Sequence, residues 1–419
     1  MKRRDFLVRG AAGTLGAAVV GLPVPLPSRV PTSAPGAGAA RLQREPSPIS
    51  EAEYAERRAK AQRLMGEQGM AALFIEPGAN LLYFSGIRWG RSERLFGMLL
   101  PQRGAPVFVV PGFETARAAA QIAGRFEIRS WEEDASPYRL IADTLAGQGV
   151  RTGSVGLDES ARYFVAVELG KVAPGLHVVD ASPVTHLCRG VKSAHEIEIM
   201  RYANEVTLRT FRSALSTLDS GMTQSDLSRA IAESFRKLGY DGYALVLFAE
   251  SSASPHGLPQ PRALRPGDVV LVDGGCTVLG YEADITRTVV FGQATAEQQR
   301  VWDIVHRAQA AALAAARPGV PAGAVDAAAR QVIAEGGFGP GFRFFTHRLG
   351  HGIGLEGHEW PYLVPGSDVV LRPGMTFSDE PGIYQPGKFG VRTEDVMVVT
   401  ENGAELLTPP ATSLSPALA

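Results

Sequence analysis

Val269-Val270-Leu271-Val272-Asp273 is an apolar run that ends in an acid, and Asp284-Ile285-Thr286-Arg287-Thr288-Val289-Val290 is an acid that opens a β-rich run. The midpoint between the two aspartates falls between Val278 and Leu279, beside Gly280. A hairpin turning there sets Asp273 directly across from Asp284 on one face, with Cβ atoms roughly 5 Å apart. Glu380 and Glu394 repeat the device around Gly387, inside the turn tripeptide Pro386-Gly387-Lys388. Opposed like charges destabilise a sheet unless something neutralises them. With His351 added, four carboxylates and one imidazole suit a pair of divalent first-row metals about 3.5–4 Å apart. The competing reading is that these acids are solvated surface groups, as most acids are. It is weakest for Asp273, because buried-type residues lead straight into it.

The words around these residues occur in a fixed order. Pro266-Gly267-Asp268 opens the first run, and Asp284-Ile285-Thr286-Arg287-Thr288 follows. Then come Gly350-His351-Gly352-Ile353-Gly354-Leu355-Glu356-Gly357-His358-Glu359, Glu380-Pro381-Gly382 and Arg392-Thr393-Glu394-Asp395. Together they resemble the pita-bread metallopeptidases, in the aminopeptidase P and prolidase branch. The resemblance is close over residues 189–400 and looser before them. It implies Asp273 chelating one metal, His351 and Glu380 on the other, and Asp284 and Glu394 bridging. A hydroxide shared between the cations would be the nucleophile, with Glu380 as proton shuttle as well as ligand. His358 would stabilise the oxyanion, and His256, in Ser254-Pro255-His256-Gly257, would lie near the scissile nitrogen. His347 matches a position lining a proline pocket, and Arg392 one contacting the far end of the substrate.

The implied reaction is hydrolysis of the bond between an N-terminal residue and proline, by an Xaa-Pro aminopeptidase or an Xaa-Pro dipeptidase. The oxygen-rich ligand set favours Mn²⁺ over Co²⁺, Zn²⁺ or Fe²⁺. The resemblance also implies a homodimer or homotetramer in which Trp89 or Arg91 reaches a neighbouring active site. Two positions depart from the family pattern. Gly274 follows the first aspartate where a bulky residue is frequent, and Asp379 precedes Glu380 where a small or neutral residue is usual. Asp379 is expected to add negative charge beside the site, with a bearing on metal preference. The remaining histidines, His177, His186, His195 and His306, lie outside any motif and read as structural or exposed.

A chain of 419 residues suggests two domains plus a leader. A formal charge of −1, with acids and bases interspersed, argues against a nucleic-acid or anionic-membrane partner. Cys188 and Cys276 are the two cysteines, which gives no disulfide framework and no zinc spacing. Met1-Lys2-Arg3-Arg4-Asp5-Phe6-Leu7 and the charge-free stretch 10–26 look like a twin-arginine export signal, implying a periplasmic or extracellular protein. The stretch is short for a membrane anchor and is broken by Pro23 and Pro25. Signal and linker occupy 1–40.

Residues 50–188 alternate helical and strand patterns, as in an α/β domain of the creatinase N-terminal type, which Asn80-Leu81-Leu82-Tyr83-Phe84-Ser85-Gly86 resembles. Residues 189–410 form the expected α+β pita-bread catalytic domain. A faint repeat at an offset of 98 supports its pseudo-twofold αββ duplication. Gly221-Met222-Thr223 matches Gly319-Val320-Pro321, Phe235 matches Ile333, and Gly239-Tyr240 matches Gly337-Phe338. The rival readings are an organophosphate-hydrolysing prolidase, a methionine aminopeptidase and a non-catalytic binding module on the same scaffold. Methionine aminopeptidases normally lack a domain like 50–188, and the binding modules lose the ligands that all stand here.

Overall fold

Ser50 caps the first helix, Glu51–Glu67, its hydroxyl accepting from the Glu53 amide while the Glu53 carboxylate reaches back to the cap. This is a computed structural model, and it describes residues 44–416 apart from 123, 259 and 260. The export signal at 1–40 lies outside the described residues.

After that helix the chain builds a six-stranded mixed sheet. Its strands are β1 (Met70–Ile75), β2 (Gly97–Pro101), β3 (Val107–Pro111), β4 (Glu127–Trp131), β5 (Gly153–Leu157) and β6 (Leu176–Asp180), in spatial order β4-β3-β2-β1-β5-β6. Alternate residues of β1 enter separate cores, Leu73 and Ile75 on one face and Ala72 and Phe74 on the other. Helices cover both faces, so the central strands read as continuous apolar runs.

Ser193 and Glu196 form a second capping box, starting the long helix Ala194–Leu215. From here the duplication is visible in hydrogen bonds. Helix Gln224–Leu238 ends at Gly239, φ +90°, and its counterpart Ala322–Ile333 is followed by Gly337, φ +88°. The Leu264 amide donates to the Met222 carbonyl at 2.8 Å, and that of Leu371 to Val320 at 2.9 Å. Next come Arg265-Pro266-Gly267 and Arg372-Pro373-Gly374, a pair the sequence reading did not match. Gly267 donates to Phe291 and Gly374 to Val399, each with positive φ. One apolar core belongs mainly to each half.

The first half carries β7 (Gly242–Phe248), β8 (Val269–Val278), β9 (Tyr281–Glu282) and β10 (Ile285–Val290), with β8 between β7 and β10. The second carries β11 (Gly350–Gly352), β12 (Glu359–Leu363), β13 (Thr376–Asp379), β14 (Gly382–Gln385), β15 (Phe389–Arg392), β16 (Asp395–Val399) and β17 (Ala404–Leu406). There the order is β12-β11-β13-β16-β17, and β14 and β15 form the hairpin arm.

The two acid hairpins behave differently from each other. In the second, Asp379 pairs with Asp395 and Gly382 with Arg392, one register that sets Glu380 level with Glu394. In the first, Thr286 stands across from Asp273, and Thr277 across from Glu282 nearer the tip. Asp284 is therefore level with Gly275 and diagonal to Asp273, so the expected direct opposition is corrected by two residues. The cause is the turn: Leu279 and Gly280 both take positive φ, +51° and +101°, and Val278 closes on Tyr281. A Cβ on Gly274 would meet the Tyr243 carbonyl oxygen at 2.4 Å, which accounts for the glycine where the family carries bulk.

Candidate metal centre

The halves join where Thr286 and Glu394 exchange backbone hydrogen bonds, Glu394 N–H to Thr286 at 3.1 Å and the reverse at 3.3 Å. Arg287, fully buried, fixes the seam by donating to the Glu394 carbonyl at 2.8 Å and to Asp395 at 2.7 Å. The seam forms the floor of a cavity of about 310 Å³. Asp273, Asp284, His351, Glu380, Glu394, His256, His358, His347 and Arg392 all line it, together with Ser254, Pro255, Thr346 and Arg348. Every residue singled out from sequence for metal, catalysis or substrate therefore faces one space.

The acids fall into overlapping groups. Asp273, Asp284 and Glu394 bring one ligand atom each within 4.8 Å of one another; so do His351, Glu380 and Glu394, and so do Asp284, His351 and His358, the histidines through a ring nitrogen. Burial, reinforced by the charges of Asp273 and Glu380, holds the Asp284 carboxyl well above its ordinary range. Glu394 is raised in the same way, by burial and then Asp284, and Glu380 is pushed up to about 8, mainly by burial. Such a cluster retains protons unless cations replace them.

His351 shows which cations the site fits. Its Nδ1 lies 3.1 Å from the Gly352 carbonyl, an acceptor only, so that nitrogen carries the proton. The Nε2 lone pair then points at Glu380 Oε1, 3.3 Å away, and Asp284 Oδ2, 4.0 Å away. Burial, and then the neighbouring His358, holds this imidazole down at about 3, so it is neutral. A lone pair aimed at carboxyl oxygens is repulsive unless a proton or a cation lies between them, and four acids with one such lone pair can share cations. The donor set thus fits divalent metal.

Other residues emerge only from the packing. Arg392 donates to Asp273 at 2.5 Å, Thr286 at 3.1 Å, Tyr384 at 2.8 Å and the Pro255 carbonyl at 3.3 Å. His347 Nδ1 faces the Arg348 carbonyl at 2.7 Å, so its Nε2 accepts from the Tyr384 hydroxyl, also at 2.7 Å. Tyr384 thus links Arg392 to a neutral His347, held down at about 3 by burial and by Arg392. Thr286, between Asp273 and Glu394, and Ser378, which donates to Glu380 at 3.2 Å, were also unread in the sequence. The N-terminal domain anchors the first hairpin. Arg57 donates to the Tyr281 hydroxyl at 2.8 Å and pairs with Glu196 at 3.1 Å, and Tyr281 donates to Glu196.

His186, His195 and His306 are occupied elsewhere, stacked on Trp360, bonded to Glu53 and stacked on Trp302. Trp89 stacks on Phe96, and Arg91 bonds Pro77 and Ser160 within its own chain.

Asp379 corrects another expectation. It does not line the cavity; alternation turns it to the opposite face of the strand, across from Asp395 and fully buried. Neither of its oxygens has a hydrogen-bond partner among the described residues. Burial, then the charges of Asp395 and Glu380, lifts its carboxyl well above the ordinary 3.8, so this position disfavours the charge. A group raised in the folded state contributes stability below its unfolded value and loses it as pH rises. Asp379→Asn therefore gains on the wild type from about pH 4 upward, by on the order of 1–3 kcal/mol. Denaturant midpoints at pH 4 and pH 7 check this; a variant less stable at pH 7 refutes it.

An acid-rich cavity around a neutral imidazole, on a duplicated α+β scaffold, defines a metal-dependent hydrolase. Residues 198–401 match metallopeptidase family M24, and residues 57–191 match the creatinase/prolidase N-terminal domain. The probable dipeptidase PepE of Mycobacterium tuberculosis is 39% identical over 356 residues, 84% of this chain and 93% of that protein. The crystal structure of dipeptidase PepE from Mycobacterium ulcerans superposes with a TM-score of 0.81 at 36% identity, covering 88% of this chain and 99% of that one. Recombinant prolidase from Thermococcus sibiricus gives 0.77 at 32% identity, covering 85% and 97%. The chain belongs to metallopeptidase family M24, in its aminopeptidase P and prolidase branch.

Proposed function

We propose that this peptidase hydrolyses the bond between an N-terminal residue and proline, using two divalent metals, Mn²⁺ foremost. Asp273, Asp284, His351, Glu380 and Glu394 would hold them. The observation that carries the reading is the His351 lone pair aimed into the acid cluster. When bound, the metals supply Lewis-acid activation of water and polarisation of the scissile carbonyl.

The chain's own residues supply the rest. Glu380 lines the cavity, and once cations have displaced its proton its carboxylate is placed to take a proton from the attacking water and pass it on. A tertiary Xaa-Pro amide has no N–H, so the leaving ring nitrogen must be protonated, and Glu380 and His256 face the same cavity. Tyr384 holds His347 at the wall assigned to the pyrrolidine ring. Arg392 keeps Asp273 in place from behind, besides its assigned role at the far end of the substrate. The prolidase name of the Thermococcus sibiricus relative supports the proline assignment.

The test is a panel offered to the Mn²⁺-loaded protein: Xaa-Pro dipeptides, Xaa-Pro-Yaa tripeptides, Xaa-Ala and Met-Ala controls, and a phosphotriester. Release of the N-terminal residue from the proline substrates, with the controls nearly untouched, is the expected result. A preference for Met-Ala or the phosphotriester overturns the proline reading. Failure to bind metal at all revives the binding module.

A further inference from the structure

Outside the cavity, a group of charges is buried where the N-terminal domain meets the catalytic one. Glu359 accepts from the Lys192 ammonium at 2.6 Å through one oxygen and from the Arg189 guanidinium through the other. All three side chains are buried. Arg189 ends helix Ser182–Arg189 and also donates to the Asn80 side chain at 3.2 Å and to Glu356 at 2.6 Å. Asn80 lies in helix Ala79–Ser85, so the N-terminal domain holds the arginine. Lys192 is fixed by its own backbone, its amide donating to the Gly374 carbonyl at 2.8 Å. Both cations are thus set by elements other than the strand that carries Glu359.

Glu359 begins β12, directly after His358, and stands across from Gly352 in the β11–β12 ladder. The Gly352 carbonyl is the one that faces His351 Nδ1, and the His351 and His358 rings stack. A displacement of Glu359 therefore moves both histidines. The sequence makes room for the clamp. A Cβ on Gly354 would meet Glu359 Oε1 at 2.7 Å and Lys192 Cε at 2.9 Å, and one on Gly352 would meet the Glu359 carbonyl oxygen at 2.5 Å. Burying such charges gains little stability over apolar packing, and the better-attested use of a buried ionic group is to fix register. This ladder has a register to fix, because its pairing shifts between His351 and Gly352. We infer that Glu359, clamped by Lys192 and Arg189, is a positioning residue that sets the His351–His358 pair at the metals. Through Arg189 the N-terminal domain then contributes to turnover. The inference rests on the proposed function and adds to it a residue that acts through the two histidines.

The experiment compares Mn²⁺-saturated wild type, Lys192→Met, Lys192→Arg and Glu359→Gln on the best Xaa-Pro substrate of the panel, well below the unfolding temperature of each. Lys192→Met leaves Glu359 paired with Arg189, so it should fold. It should lower kcat by roughly tenfold to 10²-fold with KM nearly unchanged, the scale of a small misplacement of catalytic groups. Glu359→Gln should lose at least as much, and Lys192→Arg should recover part of the loss. The visible absorption of the Co²⁺-substituted protein reads the ligand field at His351 without turnover. It should shift in Lys192→Met and Glu359→Gln, and less in Lys192→Arg. A merely structural clamp would lower the unfolding temperature and leave kcat and the Co²⁺ spectrum as in the wild type, which overturns the inference. So does a loss carried by KM alone, or one that Lys192→Arg does not reduce. If Glu359→Gln does not fold, the two Lys192 variants decide. A wild type that binds no metal overturns the proposed function and this inference together. One that prefers Xaa-Ala to Xaa-Pro overturns only the proline reading, and the same comparison is then made on Xaa-Ala.

Discussion

Turnover in Glu380→Gln is expected to fall roughly 10⁴-fold or more while the protein stays folded, the scale seen for other essential catalytic groups. Glutamine fills the same volume and can still accept from Ser378, which now donates to Oε1 at 3.2 Å. It cannot supply an anion opposite His351 or carry a proton. Bound metal should fall as well, since one of the oxygens within reach of the His351 and Glu394 ligand atoms is gone. Asp273→Asn should lose turnover on the same scale, with a second consequence that the hydrogen bonds disclose. Arg392, nearly fully buried, keeps only a neutral amide where it had a carboxylate at 2.5 Å. A loss of stability on the order of 1–3 kcal/mol should therefore accompany the loss of activity. Metal analysis, thermal unfolding and turnover on the two purified variants separate these effects. Near-normal activity in either one would sink the dinuclear assignment.

What the sequence allowed to be read depended on whether a feature was local. The Glu380–Glu394 hairpin turns at Gly387, φ +75°, where the Pro-Gly-Lys tripeptide places it, and the register follows. The first hairpin was misplaced because its turn puts Leu279, a bulky residue, in the left-handed region that glycine favours, which propensity does not foresee. Strands β4 and β6 carry a weak apolar signal because they sit at the sheet edges, where burial is partial. The repeat was legible in its helices, whose caps and buried faces are local. Its Arg-Pro-Gly continuation was hidden because the offset has grown to 107. Thr286 and Tyr384 acquire meaning only when strands distant in sequence meet, and no spacing rule connects Tyr384 to His347. The nine expected site residues share a cavity, most of them at a strand end or a bend that the motif itself fixes, while Asp273 stands within β8.

His358→Ala and His256→Ala should keep their metal and lose about 10²–10³ in turnover, the usual effect of removing one donor to a developing oxyanion or leaving group. For His358 the geometry leaves two roles in competition. Its ring stacks on His351 with centroids 3.7 Å apart, and its nitrogen comes within 4.8 Å of ligand atoms of Asp284 and His351. That is near enough for ligation. Burial, then the charge of Arg348, lowers its pKa, so it is neutral at pH 7 and offers one N–H and one lone pair. A ligand would use the lone pair, and an oxyanion donor the N–H. His358→Phe distinguishes the two, because it preserves the stack on His351 while removing both. If His358 acts on substrate, His358→Phe binds metal like the wild type and is as slow as His358→Ala. If it ligates, both variants lose metal together with activity, and activity returns as metal is raised. A His358→Phe protein at full metal content and near-full rate would remove His358 from the chemistry and leave it as packing for His351.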